Sequence, residues 1–218
     1  MGAGSIISQV GTHDLNKMGG LSRRMPVTAF AFFIAALGVT AMPPLNGFIS
    51  EWLLYQSFFN ASQIQIFSVR AVAPLLAIIM AFSGAIAVMV YVKAYSSAFS
   101  GPFRNPKAVL AHEAPNAILF SLSFLAASCV ILGLASPLLI TPIATVAAEF
   151  TNVPPTTFTN GWSILLPTVG QASLSPPLIA SLLLILLIVP FLIVLILRSR
   201  RTNKRSVKDP WSCGYGYS

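Results

Sequence analysis

An all-α integral membrane protein is the fold class the sequence predicts, and three observations carry that prediction. The 218 residues are 56% hydrophobic and only 8% charged, with a mean hydropathy of +0.80; that is more apolar surface than one soluble core can bury. Several apolar runs reach the ~20 residues that cross a bilayer. Six of the thirteen basic residues crowd into RSRRTNKRSVK, Arg198 to Lys208, directly after the last apolar run, as a cytoplasmic membrane flank does. The net charge of +8 therefore belongs to a membrane surface, and nucleic acid is not expected as a partner. Cys129 lies in an apolar run and Cys213 in the tail, a pattern that frames neither disulfides nor metal.

Apolar length and helix breakers set the elements in order. The end of a span is expected at about 2 to 10, then a basic loop at 11 to 25, an apolar stretch at 26 to 42, a break at 43 to 47 and a second apolar piece at 48 to 60. Long spans follow at about 71 to 98, 115 to 139 and 176 to 198. The segment from Pro142 to Ser175 is rich in Thr, Pro and Asn and contains no Lys or Arg, so a loop is expected there. Residues 1–139 thus form a transmembrane domain, 140–175 an extracytoplasmic loop, 176–198 an additional transmembrane helix and 199–218 a basic cytoplasmic tail.

The stretch from 26 to 60 is either two spans or one broken span, and charge discriminates between them. With the basic tail inside, a single broken crossing puts Lys17, Arg23, Arg24, Arg104 and Lys107 on the inner face and leaves only Arg70 outside. Two crossings would move three of these residues outward, against the usual bias. The single broken helix is the preferred reading. Pro43 and Pro44 remove two backbone donors and Gly47 relaxes the chain. Polar backbone groups freed in mid-bilayer must then face protein or a hydrated cavity. Glu51 falls one turn into the second half-helix, where a carboxylate is expensive and is read first as functional. The bland alternative is a solvated Glu51 at an interface beside an ordinary Pro-Pro turn.

The run GAGSIISQVGTHDLNKMGGLSRRMPVTAFAFFIAALGVTAMPPLNGFISEWLLYQ resembles the later helices of the antiporter-like subunits of respiratory NADH:quinone oxidoreductase and of cation/proton antiporters. PPLNGFISEWLLYQ, VYVKAYSSAFSGPFR and WSCGYG are most similar to the hydrogenase 4 and formate hydrogenlyase subgroup. The resemblance implies an antiporter-like bundle of two inverted five-helix repeats, each with a broken helix, of which this chain holds the C-terminal portion only. It implies a proton-translocating, non-catalytic membrane subunit of an oxidoreductase complex. Glu51 would match the family's ionisable residue in the second broken helix and Lys93 a lysine typical of the subgroup, the two acting as a proton relay.

The partners implied are other membrane subunits of a hydrogenase or dehydrogenase complex, a chain supplying the missing N-terminal helices, and the lipid bilayer of the cell membrane. A non-translocating scaffold and a cation/proton antiporter component remain the alternatives. No cofactor or metal site is expected, since no cluster of His, Cys and carboxylates has ligand spacing. Lys93 also reads as a lysine that snorkels to the inner interface. His13 beside Asp14 reads as a solvated loop pair, and His112 with Glu113 as a helix start, where an acid suits the dipole. Phe30, Phe32 and Phe33 read as lipid or helix contacts.

Overall fold

The structure is a computed structural model that describes residues 1–151, 159–160, 163–165 and 173–199. The expected tail beyond Ser199, with Cys213, lies outside the described residues. So does most of the expected loop from 152 to 172.

Helix α1 (Gly2–Val10) ends on Gly11, whose φ of 70° places it in the left-handed region while its N–H closes on the Ile7 carbonyl. Two short 3-10 turns follow, Leu15–Lys17 and Leu21–Arg23. Pro26 opens α2 (Pro26–Val39), a position where its missing N–H is no loss. Then come α3 (Asn46–Ala61), α4 (Phe67–Phe99), the single turn α5 (Pro106–Val109), α6 (Asn116–Leu134) and α7 (Ser136–Thr151).

Helix α7 occupies the first part of the segment expected to be a loop. Apolar residues continue through Leu138, Leu139, Ile143 and Val146, and Pro142 inside the helix removes only one ladder bond. Three strands of two, three and two residues, β1 (Thr159–Asn160), β2 (Ser163–Leu165) and β3 (Ser173–Leu174), pair antiparallel in that order. They leave the helical class unchanged. The last helix, α8 (Pro176–Ser199), is apolar with Pro190 inside it; residues from Ser181 onward form a second unit. Helices α4, α6 and α8 are long and apolar enough to cross a membrane. Their bare apolar surfaces are what lipid or neighbouring helices cover. The chain is a multi-pass membrane protein.

The first unit, Met1–Ala180, packs most tightly at one end of α2 and α4. Ile6, Val10, Met18, Leu21, Met25, Ala29, Ala98, Phe99, Ala108 and Ala111 form a buried cluster with Phe32, Tyr95 and Phe103 against it. The Ser22 hydroxyl donates to the Phe99 carbonyl at 2.7 Å and Gly20 N–H to the Ser100 carbonyl at 3.0 Å. A Cβ at Gly19 would run into the Pro102 carbonyl. The two basic loops, one with Lys17, Arg23 and Arg24 and the other with Arg104 and Lys107, therefore share one face.

Contacts along α4 fix the direction of the broken pair. Its last turns meet α2, where the Tyr95 ring packs in tilted contact with Phe32 and Phe33. Its middle meets α3 at Gly84, where an added Cβ would lie 3.3 Å from Glu51 Oε1. Its first turns line a groove with Phe58 and Ala61 at the far end of α3. Helices α2 and α3 thus run one way past an antiparallel α4, as a single broken crossing and not a hairpin. Together they hold 30 residues, about 45 Å, against roughly 50 Å for the 33-residue α4.

Candidate functional site

The break spans residues 40–45, starting earlier than the sequence suggests because α2 already ends at Val39. Its entry is a Schellman turn. Ala41 takes a left-handed φ of 52°, Met42 N–H reaches the Leu37 carbonyl at 3.0 Å, and Ala41 N–H reaches Gly38 at 3.3 Å. The Thr40 hydroxyl donates to the carbonyls of Ala36 and Leu37. Several backbone groups that the break would strand are thereby paired. Pro43 and Pro44 lie in the break, joined by a cis peptide bond. Gly47 lies beyond it, in the first turn of α3.

Glycines let three backbones meet here. A Cβ at Gly47 would collide with the Gly38 carbonyl oxygen, and one at Gly133 of α6 would collide with the Pro44 carbonyl and lie 2.8 Å from Asn46 N. Gly38 faces Cys129 Sγ, 3.8 Å from a built Cβ. At the other end of α2, Glu113, just ahead of α6, accepts from Val27 N–H at 2.6 Å and from the Thr28 hydroxyl at 2.7 Å. The two contacts show that α6 runs parallel to α2, from its capped start to the break.

From this platform α3 carries Glu51 one turn onward. The carboxylate meets α4 at Gly84, 17 residues from Phe67 and 15 from Phe99, or about 25 and 22 Å along the axis. That is the middle of the longest helix. Glu51 is half-buried, and among the described residues it makes no ion pair. Tyr55 follows four residues later on the same face of α3.

Lys93 is not brought to Glu51. It is exposed and lies nine residues beyond Gly84, two and a half turns, on the opposite face of α4 and about 13 Å farther along the axis. His13 is exposed, at the rim of a cavity of about 200 Å³ near Ile7 and Met18, and Asp14 caps the following turn by accepting from Asn16 N–H. The Lys17–Asp14 pair, 3.9 Å apart and exposed, contributes little. Phe32 packs in the inner cluster, while Phe30 is exposed. Sequence reasoning missed the roles of Gly38, Gly84 and Gly133. Their one signal is glycine inside apolar helical runs, where it costs stability and needs a packing reason.

Residues 1–77 match the family described as NADH:quinone oxidoreductase/Mrp antiporter, TM. Hydrogenase-4 component B of Escherichia coli is 42% identical over 217 residues, which cover 100% of this chain and 32% of the relative. Formate hydrogenlyase subunit 3 of the same organism is 36% identical over 217 residues, 100% of this chain and 33% of the relative. The A1 subunit of the Na(+)/H(+) antiporter of Staphylococcus aureus is 34% identical over 135 residues, 60% of this chain and 16% of the relative. A chain of the membrane-bound sulfane sulfur reductase, an archaeal respiratory membrane complex, superposes with a TM-score of 0.66. The match covers 97% of this chain and 32% of that one, and at 24% identity it speaks for the fold alone. The chain spans about a third of the length of the first two relatives. On these matches the chain is homologous to hydrogenase-4 component B, formate hydrogenlyase subunit 3 and the A1 antiporter subunit, and its residues 1–77 carry the match to the NADH:quinone oxidoreductase/Mrp antiporter membrane domain.

Proposed function

We propose that the chain is the part of a membrane subunit through which a hydrogenase, formate hydrogenlyase or NADH dehydrogenase-like respiratory complex moves protons, with Glu51 as the carrier. Electron transfer would take place in partner subunits, and this one would convert it into ion movement. The observation that carries the reading is the depth of the carboxylate, half-buried beside the midpoint of α4 and one turn past a break. An acid there costs roughly 3 kcal/mol on insertion scales, so its retention calls for a use. A carboxylate whose surroundings change between charged and uncharged states can load and release a proton. The homology to subunits named for hydrogenase and formate hydrogenlyase supports the same assignment.

Lys93 enters as a second ionisable position nearer the inner end of α4. Because it lies on the opposite face, exchange with Glu51 would run through water or another chain and not through direct contact. The test is proton uptake by inverted membrane vesicles holding the assembled complex. Glu51→Gln keeps the size of the side chain and removes its charge, and is expected to lower uptake at least about tenfold while the complex still assembles, with Glu51→Asp keeping part of the activity. Uptake at the wild-type rate in Glu51→Gln would leave the chain as a scaffold. The match to a Na(+)/H(+) antiporter protein favours cation/proton exchange as the second reading, which predicts that uptake depends on a sodium gradient.

A further inference from the structure

We propose that Gly84 is a positioning residue for Glu51: the side chain it lacks leaves, at the midpoint of α4, the niche against which the carboxylate rests. This deepens the role proposed for Glu51 and rests on it. A Cβ at Gly84 would lie 3.3 Å from Glu51 Oε1, and beyond its own stretch of helix nothing else among the described residues would come within 4 Å of it. The contrast with the glycines at the break is informative. Gly47 and Gly133 are explained by backbone that no Cβ would admit, whereas Gly84 has no backbone neighbour to let in. A glycine inside a long helix is a weaker helix former than alanine, so a packing explanation is missing and the carboxylate is the one group its absence serves.

The niche also has a chemical character. One turn to either side of Gly84, α4 presents Met80, Ala81, Ala87 and Val88, and the Ser83 hydroxyl is committed to the Met80 carbonyl at 2.8 Å. The carboxylate therefore rests on helix backbone, where Cα–H contacts are weak, without a fixed strong donor. The titratable groups on the elements around it are Tyr55 on its own helix, Tyr91 two turns along the Gly84 face of α4 with Arg70 and Tyr95 farther toward the two ends of that helix, and Cys129 on α6; Lys93 lies on the far face of α4. A group held in place yet bound by no strong donor can exchange its proton without first breaking an ion pair.

The experiment is an infrared pH titration of the assembled complex in proteoliposomes, reading the carbonyl stretch of protonated Glu51, which is identified by its loss in Glu51→Gln. Gly84→Ala and Gly84→Leu are expected to move both the frequency and the titration midpoint of that band, the leucine by about half a pH unit or more. Proton uptake should fall about tenfold in Gly84→Leu, while Ala85→Leu at the exposed neighbouring position leaves the band where it was. If Gly84→Leu fails to assemble, Gly84→Ala decides alone, because its methyl needs only a small displacement of the carboxylate. A band unmoved in frequency and midpoint in the Gly84 variants overturns this inference and leaves the role of Glu51 intact. A Glu51→Gln protein that loses no titrating band overturns the role of Glu51 itself.

Discussion

Glu113 closes the amino end of α2 by accepting from a residue 86 positions earlier. Its two oxygens accept from Val27 N–H, Thr28 N–H and the Thr28 hydroxyl, so a negative charge satisfies the orphan donors at the positive end of the α2 dipole. Thr28 is fully buried, so within the fold its hydroxyl relies on this partner. Glu113→Ala is expected to destabilise the protein by about 1–2 kcal/mol, seen as a lower melting temperature in detergent, with Glu113→Gln keeping part of the stability. From the sequence this acid reads as belonging to its own helix start. The residues around it carry no mark of a partner so distant. Glu51 is legible for the opposite reason: the proline pair and the carboxylate lie within nine residues of each other, so breaker and expensive charge can be read together. What cannot be read there is the surface Glu51 meets, because Gly84 is 33 positions away.

At the scale of elements, the spans follow from apolar length and their ends from proline and glycine, so α2, α3, α4 and α8 fall close to where the composition puts them. Helix α7 escapes that reading because Thr141, Pro142 and Thr145 near its middle look like loop residues, while its apolar positions suffice for a helix. The break is legible in kind and displaced in place, since its start is set by the Schellman turn at Ala41 and not by the prolines. Gly47 and Gly133 then matter as contacts between elements. Gly133→Ala would force the end of α6 away from the Pro44–Asn46 backbone, and overpacking of this sort costs about 1–3 kcal/mol. The expected outcome is a lower melting temperature together with weaker proton uptake, because the base of α3 moves with the break. Cys129→Ser, a change of similar size on the same helix, is the control and should leave both nearly unchanged.

At the scale of the whole molecule, charge asymmetry anticipates the single broken crossing, and the joined basic loops bear it out. The expectation can be checked in membranes after Cys129 and Cys213 are replaced by serine. Asn16→Cys and Val109→Cys should react with an impermeant thiol reagent from one side, and Gln65→Cys from the other. A hairpin at the break would give Gln65 the same sidedness as Asn16. The crossing so defined is built unevenly. Thr28, Ala29, Ala31, Ala36 and Gly38 of α2 are buried, against Ile49 alone in α3, and α2 is tied at both ends, by Glu113 and by the Schellman turn. Less of α3 than of α2 is therefore fixed by burial. The carboxylate proposed as the proton carrier stands on that less buried arm, so a substitution in α3 is expected to disturb less packing than one in α2.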